Sequence, residues 1–212
     1  MKPQRILGII KLGITLAIFA AAACIMLAFV YAGTKKVIAE RQQTELEAAL
    51  RELFPQADNF LQITEIKSID LSVTFGNEYA ALKDDNIIGV AAEISRAGYS
   101  GLIKMLAGIS AEGFVTGVRV IEHSETPGLG ANAASPSYFV DKARGITFCG
   151  QFAGKSIWDP FEVNNDVVVI TASTVTSRAI ALAVKAAALS VTHWLNGEEV
   201  DVISGASAGG IE

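Results

Sequence analysis

The stretch ITASTVTSRAI, residues 170–180, joins an apolar run to an alanine-rich segment and places hydroxyl groups at the junction. Five of the seven residues from Thr171 to Ser177 are serine or threonine. Because helix-forming residues follow, the stretch predicts a helix from Thr176 to Leu195, with Ser173 or Thr174 as its amino-terminal cap. A β-prone run followed by a long helix indicates a fold that combines a sheet with helices.

The hydroxyl cluster lies where a phosphate group would be stabilised. The free N–H groups and the partial positive charge at a helix amino terminus attract anions. Arg178, one turn inside the predicted helix, supplies a cation nearby. The residues alone leave three roles open for the hydroxyls: capping the helix, binding a phosphate, or being esterified by one. A serine hydrolase is disfavoured, since the residues around Ser173 do not form G-x-S-x-G and neither His123 nor His193 is marked as a base.

An uncharged run, Leu12 to Gly33, lies near the amino terminus. Its length of about 22 residues corresponds to about 33 Å of helix, enough to cross a bilayer core of about 30 Å. We therefore predict a transmembrane helix over 12–33 after a short amino-terminal segment, 1–11. A buried core helix and a cleaved signal peptide, with cleavage after Val30-Tyr31-Ala32, are the alternatives. Charge alone does not choose an orientation, because basic residues flank the run almost equally: Lys2, Arg5 and Lys11 before it, and Lys35, Lys36 and Arg41 after it.

The composition excludes two classes of site. The net charge is −5 with no basic patch, which argues against a nucleic-acid surface. Cys24 lies in the predicted span and Cys149 in the remaining domain, so they cannot pair with each other. The only histidines, His123 and His193, lack the spacing of metal ligands, so no metal site is expected.

The region after the span is predicted to fold as an α+β domain. Lys35 to Phe54 has leucines at helical spacing and ends before Pro55, which predicts an amphipathic helical stalk within 34–55. A domain over 56–200 follows, and the glycine-, alanine- and serine-rich tail from Asp201 to Glu212 is expected to be flexible, either disordered or loosely packed.

Short β-prone runs separated by hairpin-length turns predict an antiparallel meander in this domain. The runs are Leu71–Phe75, Tyr79–Lys83, Ile87–Ile94, Leu102–Ile109 and Phe114–Ile121, and the turns contain Gly76-Asn77, 84–86, 98–101 and Glu112-Gly113. A loop over 122–134, a short helix near Ser137–Ala143 and a further strand, Val167–Ile170, are predicted before the long helix.

A second candidate site is the loop Glu-His-Ser-Glu-Thr-Pro-Gly-Leu-Gly, residues 122–130. Pro127-Gly128 signals a type II turn. Glycines on both sides of Leu129 would let the backbone approach a flat ligand closely, and His123 and Glu125 add polar groups. The alternative is a tight surface turn with charged neighbours.

Together, the two motifs resemble the covalent-flavin subunits of membrane redox pumps, a family that includes the G subunit of the Rnf complex and the C subunit of the sodium-pumping NADH:quinone reductase. The family loop, close to His-x-Glu-Thr-Pro-Gly-Leu-Gly, matches 123–130, and the Gly-Tyr-x-Gly turn and Phe-x-Gly-Lys match 98–101 and 152–155. The family's [Ser/Thr]-Gly-Ala-Thr-x-[Ser/Thr] aligns with 171–176, where Ala172 and Ser173 replace Gly and Ala. The family's acidic residue six places before the acceptor is Val168 here, and Asp166 is the nearest substitute.

The resemblance implies that Thr174 carries FMN through a phosphoester bond, installed from FAD by a separate transferase that uses magnesium. It also implies that the loop packs against the isoalloxazine ring. The implied cofactor-binding residues are Thr174, His123, Glu125, Thr126, Gly128, Leu129, Gly130, Thr171, Ser173, Thr176, Ser177 and Arg178, with no catalytic residue and no metal. Ser207 in Asp-Val-Ile-Ser-Gly-Ala-Ser is a weaker candidate acceptor, because no helix can start so close to the last residue.

The function implied is that of an electron-relay subunit in an ion-translocating ferredoxin:NAD oxidoreductase, incomplete as a catalyst by itself. The C subunit of the quinone reductase is an alternative, but it tends to be longer. A non-redox membrane-anchored assembly module is the alternative from another class. The resemblance further implies a single-pass protein of the inner or plasma membrane, with a cytoplasmic amino terminus, an extracytoplasmic flavin domain and other membrane subunits as partners.

Overall fold

The structure, a computed structural model, describes residues 3–64 and 66–197, so the predicted tail and Ser207 lie outside the described residues. The helices and strands, in chain order, are α1 (Pro3–Leu53), β1 (Asn59–Ile63), β2 (Thr74–Lys83), β3 (Asn86–Ala97), β4 (Leu102–Ser110), β5 (Val115–His123), β6 (Phe139–Asp141), β7 (Ile146–Thr147) and α2 (Thr174–Asn196). Short 3-10 helices occupy Gly130–Ala134 and Gly150–Phe152. The chain divides into two compact units between Glu47 and Ala48.

The first unit contains the long helix α1 as far as Glu47, and the last turn of α1 belongs to the second unit. Its segment Gly13–Lys35 has a mean hydropathy of 2.5 and is not buried inside the protein, as a membrane-spanning helix requires. The predicted helix from Lys35 to Phe54 is present as the later part of α1, which ends at Leu53. Helix α2 is also long and apolar enough to cross a membrane, but 67% of it is buried, as expected for a core helix.

The second unit is built on a five-stranded antiparallel sheet with the strand order β1-β2-β3-β4-β5. The predicted meander and the α+β class are therefore confirmed. The sequence analysis missed β1, and it was wrong to divide β2 at Gly76-Asn77. Those two residues form an irregularity inside β2, where the pairing with β3 shifts between Phe75 and Glu78. A bulge of this kind uses turn-type residues without reversing the chain.

Helix α2 covers one face of the sheet and forms the main core. Buried side chains of β3 and β4, such as Ile94 and Met105, pack in one cluster with Ile180 and Val184 of α2. Alanine occupies most of the other buried positions of α2, which lets the helix lie close to the strands. Its predicted carboxyl end is confirmed, because Gly197 follows the helix in the left-handed conformation at φ 70°.

The opposite face of the sheet receives the last turn of α1. Leu53 and Phe54 lie over glycines in three neighbouring strands, Gly89, Gly108 and Gly117. A Cβ atom at Gly108 would lie 3.1 Å from the Cβ of Leu53, and one at Gly117 would lie 2.9 Å from its Cδ2. Glycine is therefore required here so that two large side chains can contact the sheet.

Two predicted elements are absent between β5 and α2. The helix predicted near Ser137–Ala143 is wrong: β6 and β7 pair there as a small hairpin, with Arg144 bonded to Asp141 and Gly145 at φ 67°. The strand predicted at Val167–Ile170 is also wrong. Gln151 supplies the partners a strand would supply, since its side chain accepts the Val168 N–H at 2.8 Å and donates to the Val168 C=O at 3.1 Å.

Asp166 closes the loop that precedes residues 167–170. Its carboxylate accepts the N–H groups of Phe161 and Glu162 at 3.1 and 2.7 Å, and it pairs with Lys155 at 2.7 Å. Partial burial works to raise the pKa of Asp166, but the Lys155 ammonium and the two backbone donors outweigh it and lower the pKa below its usual value. Asp166 and the Lys155 of the Phe-x-Gly-Lys motif therefore form a structural pair.

We expect Asp166→Asn to destabilise the protein at pH 7 by about 2–3 kcal/mol, because it removes the charge from an ion pair and from two hydrogen bonds. The pKa of Asp166 is lowered on folding, so its contribution is present above the unfolded pKa of about 3.9 and disappears as the pH falls through the folded value. Denaturant titrations between pH 7 and pH 3 should show the difference from wild type shrinking with acidity. Asp85→Asn in the exposed β2–β3 turn is the control; a difference that stays constant down to pH 3 would contradict this account.

Candidate functional site

The two sequence motifs, separated by about 50 residues, meet at one cavity of about 430 Å³. The β3–β4 turn, the loop after β5 and the start of α2 form its wall. The lining residues are Tyr99, Glu125, Thr126, Leu129, Gly130, Ala172, Ser173, Thr174, Val175 and Thr176. The cavity lies within the range of about 300–1,000 Å³ that is typical of ligand sites.

The structure separates the five hydroxyl residues into buried and exposed groups. Ser173, Thr176 and Ser177 are buried, at 7%, 1% and 0% exposure, whereas Thr171 and Thr174 are exposed. The Ser177 hydroxyl accepts the Ile170 N–H and donates to the Ser173 C=O, at 3.0 and 2.9 Å. These two bonds join the segment before α2 to its first turn.

Ser173 occupies the N-cap position, as one of the two predicted residues, but its side chain makes no capping hydrogen bond. Thr174 is the first helical residue, and its hydroxyl has no hydrogen-bond partner among residues 3–64 and 66–197. The first helical bond runs from the Ser177 N–H to the Ser173 C=O. The N–H groups of Thr174, Val175 and Thr176 consequently have no backbone acceptor among the residues that the structure describes.

Glu125 connects the three segments that line the cavity. It is 6% exposed, and its Oε1 accepts the N–H groups of Tyr99 and Ser100 at 2.8 and 3.0 Å. Its Oε2 accepts the Thr176 hydroxyl at 2.7 Å. The buried negative charge is thus balanced by two backbone dipoles, one hydroxyl and the amino terminus of α2.

The predicted loop residues take different positions around this carboxylate. Leu129 is 41% exposed and faces the cavity, while Gly130 is buried beside Glu125, where a Cβ would lie 2.7 Å from the Thr176 hydroxyl oxygen. Gly128, at φ 78°, borders a neighbouring cavity of about 750 Å³ that also includes Leu129. His123 is not part of the 430 Å³ cavity wall; its Nδ1 accepts the Glu125 N–H at 3.2 Å.

Arg178 lies on the other side of Thr174, in a cleft of about 300 Å³ that Thr174 also borders. Sequence reasoning missed Arg96 in this cleft and missed Tyr99, which is 75% exposed on the 430 Å³ cavity. Tyr99 lies within the Gly-Tyr-x-Gly turn, so the motif gave a signal for it, whereas nothing in the sequence pointed to Arg96. Among the described residues, no group of three or more His, Cys, Asp and Glu side chains is placed to hold a metal ion.

Two protein-family models match the chain, one over the region that contains the cavity and one over the amino-terminal helix. The family model "FMN-binding domain" matches residues 98–189, and the model "RnfG N-terminal region" matches residues 1–53. The G subunit of the ion-translocating oxidoreductase complex of Methanosarcina acetivorans is 31% identical over 176 residues, covering 81% of this chain and 88% of that protein. The chain belongs to the family of these G subunits.

Two further relatives agree with this assignment. The G subunit of the ion-translocating oxidoreductase complex of Erwinia tasmaniensis is 35% identical, covering 82% of this chain and 86% of that protein. The G subunit of the Na(+)-translocating ferredoxin:NAD(+) oxidoreductase complex of Acetobacterium woodii is 30% identical, covering 81% and 86%. Among solved structures, Shewanella oneidensis NqrC aligns at 18% identity with a TM-score of 0.44, covering 68% of this chain and 74% of that one. The family models and the G-subunit relatives confirm the resemblance found in the two motifs, and residues 98–189 match an FMN-binding domain.

The residue before the N-cap of α2 carries backbone strain. Ala172 has φ 59°, inside a turn that the Ser173 N–H closes by donating to the Ile170 C=O at 2.9 Å. A side chain is unfavourable in this left-handed conformation, whereas glycine adopts it freely. The family motif has glycine at this position, and glycine favours the backbone conformation that Ala172 adopts here.

We expect Ala172→Gly to raise the free energy of unfolding by about 0.5–1 kcal/mol, since relief of the left-handed strain exceeds the entropy cost of glycine. Thermal denaturation followed by circular dichroism measures the change. Ala153→Gly is the matched control: Ala153 is exposed at φ −61°, so glycine there should lower stability. Equal destabilisation by both substitutions would show that Ala172 is not strained.

Proposed function

We propose that this chain is the FMN-carrying electron-relay subunit of a membrane-bound ion-translocating ferredoxin:NAD oxidoreductase, with FMN joined to Thr174 by a phosphoester bond. The observation that carries the proposal is the position of Thr174. It is an exposed threonine at the first residue of α2, on the rim of the cavity where both motifs meet.

Hydrogen bonding and burial select Thr174 from the five hydroxyl residues. The Ser177 and Thr176 hydroxyls are buried and are bonded to backbone groups and to Glu125. Ser173 is 7% exposed. Thr171 is exposed, but it lies inside the turn from Ile170 to Ser173, one residue before the strained Ala172, and is not part of the 430 Å³ cavity wall. Thr174 alone of the five combines exposure, a free hydroxyl and a place at that cavity.

The helix amino terminus suits the charge that such a linkage leaves. A phosphodiester carries a negative charge, and the N–H groups of Thr174, Val175 and Thr176 have no backbone acceptor within the described part of the chain. These donors and the helix dipole stabilise an anion at this position.

The cavity wall suits a flat aromatic ring. Tyr99, Leu129 and Val175 present exposed apolar or aromatic surface, and Gly130 contributes backbone without a side chain. FMN, when bound, supplies one- and two-electron redox chemistry, and the surrounding residues orient it and limit its contact with water. The 12–33 region of α1 provides the membrane association, as the apolar segment Gly13–Lys35 indicates.

Among the described residues of the 430 Å³ cavity wall, none is a base free to activate the Thr174 hydroxyl. Glu125 is the carboxylate in the 430 Å³ cavity wall, and both of its oxygens already accept hydrogen bonds. This supports attachment by a separate flavin transferase. The family resemblance implies that such a transferase uses FAD and magnesium. The chain is therefore proposed to be a redox subunit and not a complete enzyme.

The relatives favour this function over the two alternatives. The curated relatives compared above are named as G subunits of ion-translocating oxidoreductase complexes. Relatives named in this way favour the ferredoxin:NAD complex over the C subunit of the sodium-pumping quinone reductase. The FMN-binding domain disfavours a non-redox assembly module. Other membrane subunits of the same complex are the proposed partners.

We expect Thr174→Ala to abolish covalent flavin and to change stability by less than about 0.5 kcal/mol, because Thr174 is exposed and its hydroxyl makes no hydrogen bond. Intact mass and the ultraviolet fluorescence of the denatured band measure the flavin when the chain is produced together with the transferase. Thr171→Ala is the matched control and should keep wild-type flavin.

The outcomes separate the possible acceptors. Loss of flavin in Thr171→Ala with retention in Thr174→Ala would move the acceptor to Thr171. A flavin adduct found only on a peptide from Asp201 to Glu212 would assign it to Ser207. Wild-type protein without any flavin would remove the redox function itself.

The amino terminus is proposed to be cytoplasmic and the flavin domain extracytoplasmic. Neither native cysteine is a suitable probe of this topology: Cys24 lies in the apolar helix, and burial raises the pKa of Cys149 to about 12, which keeps its thiol protonated. We expect a cysteine introduced as Glu112→Cys, in the exposed β4–β5 turn, to react with an impermeant maleimide added to intact cells. Reaction only after the cytoplasmic side is opened would reverse the proposed orientation.

A further inference from the structure

Thr174 borders two depressions of different chemical character. The 430 Å³ cavity on one side contains Tyr99, Leu129 and Val175 and the Glu125 carboxylate. The 300 Å³ cleft on the other side contains two arginines, Arg96 and Arg178, with the apolar residues Ala97, Val175, Ala179 and Leu182. A group attached to the Thr174 hydroxyl therefore has a carboxylate on one side and guanidinium groups on the other.

The two arginines come from different elements. Arg178 is four residues after Thr174 in α2, so it lies one turn along the same face of the helix. It is exposed and forms no ion pair with any residue that the structure describes. Its guanidinium group can therefore turn toward Thr174 without breaking a bond.

Arg96, near the end of β3, is held in a fixed position. Its Nη1 bonds Oδ2 of Asp70 at 2.8 Å, and its side chain is only 18% exposed. Asp70 is in turn fixed by the N–H and the hydroxyl of Ser72, at 2.8 and 2.6 Å. A guanidinium group has five N–H donors, so this pairing leaves donors for a second acceptor.

We propose that the cleft between Arg96 and Arg178 binds the phosphate group of the flavin, while the ring occupies the 430 Å³ cavity beyond Thr174. The inference rests on the proposed function and adds two phosphate ligands to it, of which Arg96 is new. Arginine donors match phosphate oxygens in geometry and charge. Glu125 would repel the phosphate from the other side, so the two charges direct opposite ends of the cofactor to opposite sides of Thr174.

A comparison of FMN with riboflavin tests this division, because the two ligands differ only in the phosphate. The full-length Thr174→Ala chain, purified in detergent, cannot be loaded covalently at that site and presents both depressions to free ligands. We expect it to bind FMN at least about tenfold more tightly than riboflavin, because one charge-assisted hydrogen bond to the phosphate changes the affinity by about this factor. Fluorescence titration measures both affinities.

Arg178→Gln in the same background should reduce the FMN affinity toward that of riboflavin and leave the riboflavin affinity unchanged. Arg96→Lys keeps a cation beside Asp70 but loses the planar fork, so it should lower the ratio by a smaller factor. Arg119→Gln is the matched control, since it removes an arginine from an exposed ion pair with Glu52 that lies outside the cleft. It should leave both affinities unchanged, and circular dichroism checks that each variant folds.

Two results would overturn the inference. One is equal affinity for FMN and riboflavin in the Thr174→Ala chain, including no binding of either. The other is a preference for FMN that neither Arg178→Gln nor Arg96→Lys lowers, which would assign the phosphate to the helix amino terminus. Both leave the proposed function intact if wild-type protein still carries FMN by intact mass, whereas absence of that adduct removes the function independently of the arginines.

Discussion

The buried Glu125 carboxylate fixes the geometry on which the candidate site depends. One oxygen binds two N–H groups of the β3–β4 turn, and the other binds the Thr176 hydroxyl in the first turn of α2. Without these bonds, three segments from distant parts of the chain would have no common anchor at the cavity. Gly98 and Gly130 are required beside it, because a side chain at either position would collide with the carboxylate. A network of this kind resists repacking, since an unpaired carboxylate in such a buried place is costly.

The sequence predicted most of the sheet and both helices because their signals are local. Strands β3, β4 and β5 alternate with short turns, and α2 has helix-forming residues from its cap to Gly197. The failures have non-local causes. The strand expected at Val167–Ile170 does not form because the side chain of Gln151, remote in sequence, satisfies Val168. The missed strand β1 is defined by its pairing with β2 and has little apolar periodicity of its own.

The same distinction applies to the site. The motifs identified the loop and the hydroxyl cluster, and alignment with the family pattern selected Thr174, but the residues alone did not say which hydroxyl is free. That depends on Glu125, which bonds Thr176 across 51 positions, and on Ser177, which bonds the backbone around Ile170. Arg96 was not predictable, because it lines the same cleft as Thr174 only when β3 packs beside the start of α2. Pairs of residues that meet only in the folded protein therefore could not be identified from the sequence alone.

The division of charge around Thr174 also accounts for the residue types in the hydroxyl cluster. Three of the five hydroxyl residues are buried, and two of them bond the groups that hold the helix start in place, Glu125 and the backbone before α2. A histidine or a free carboxylate at these positions would compete for the same hydrogen bonds and add charge beside a helix terminus. Small hydroxyl side chains satisfy the backbone without adding charge, so the charged side chains near the helix start are Glu125 and the two arginines. Thr174, left without a partner, is the hydroxyl residue that lines both the cavity with Glu125 and the cleft with the arginines.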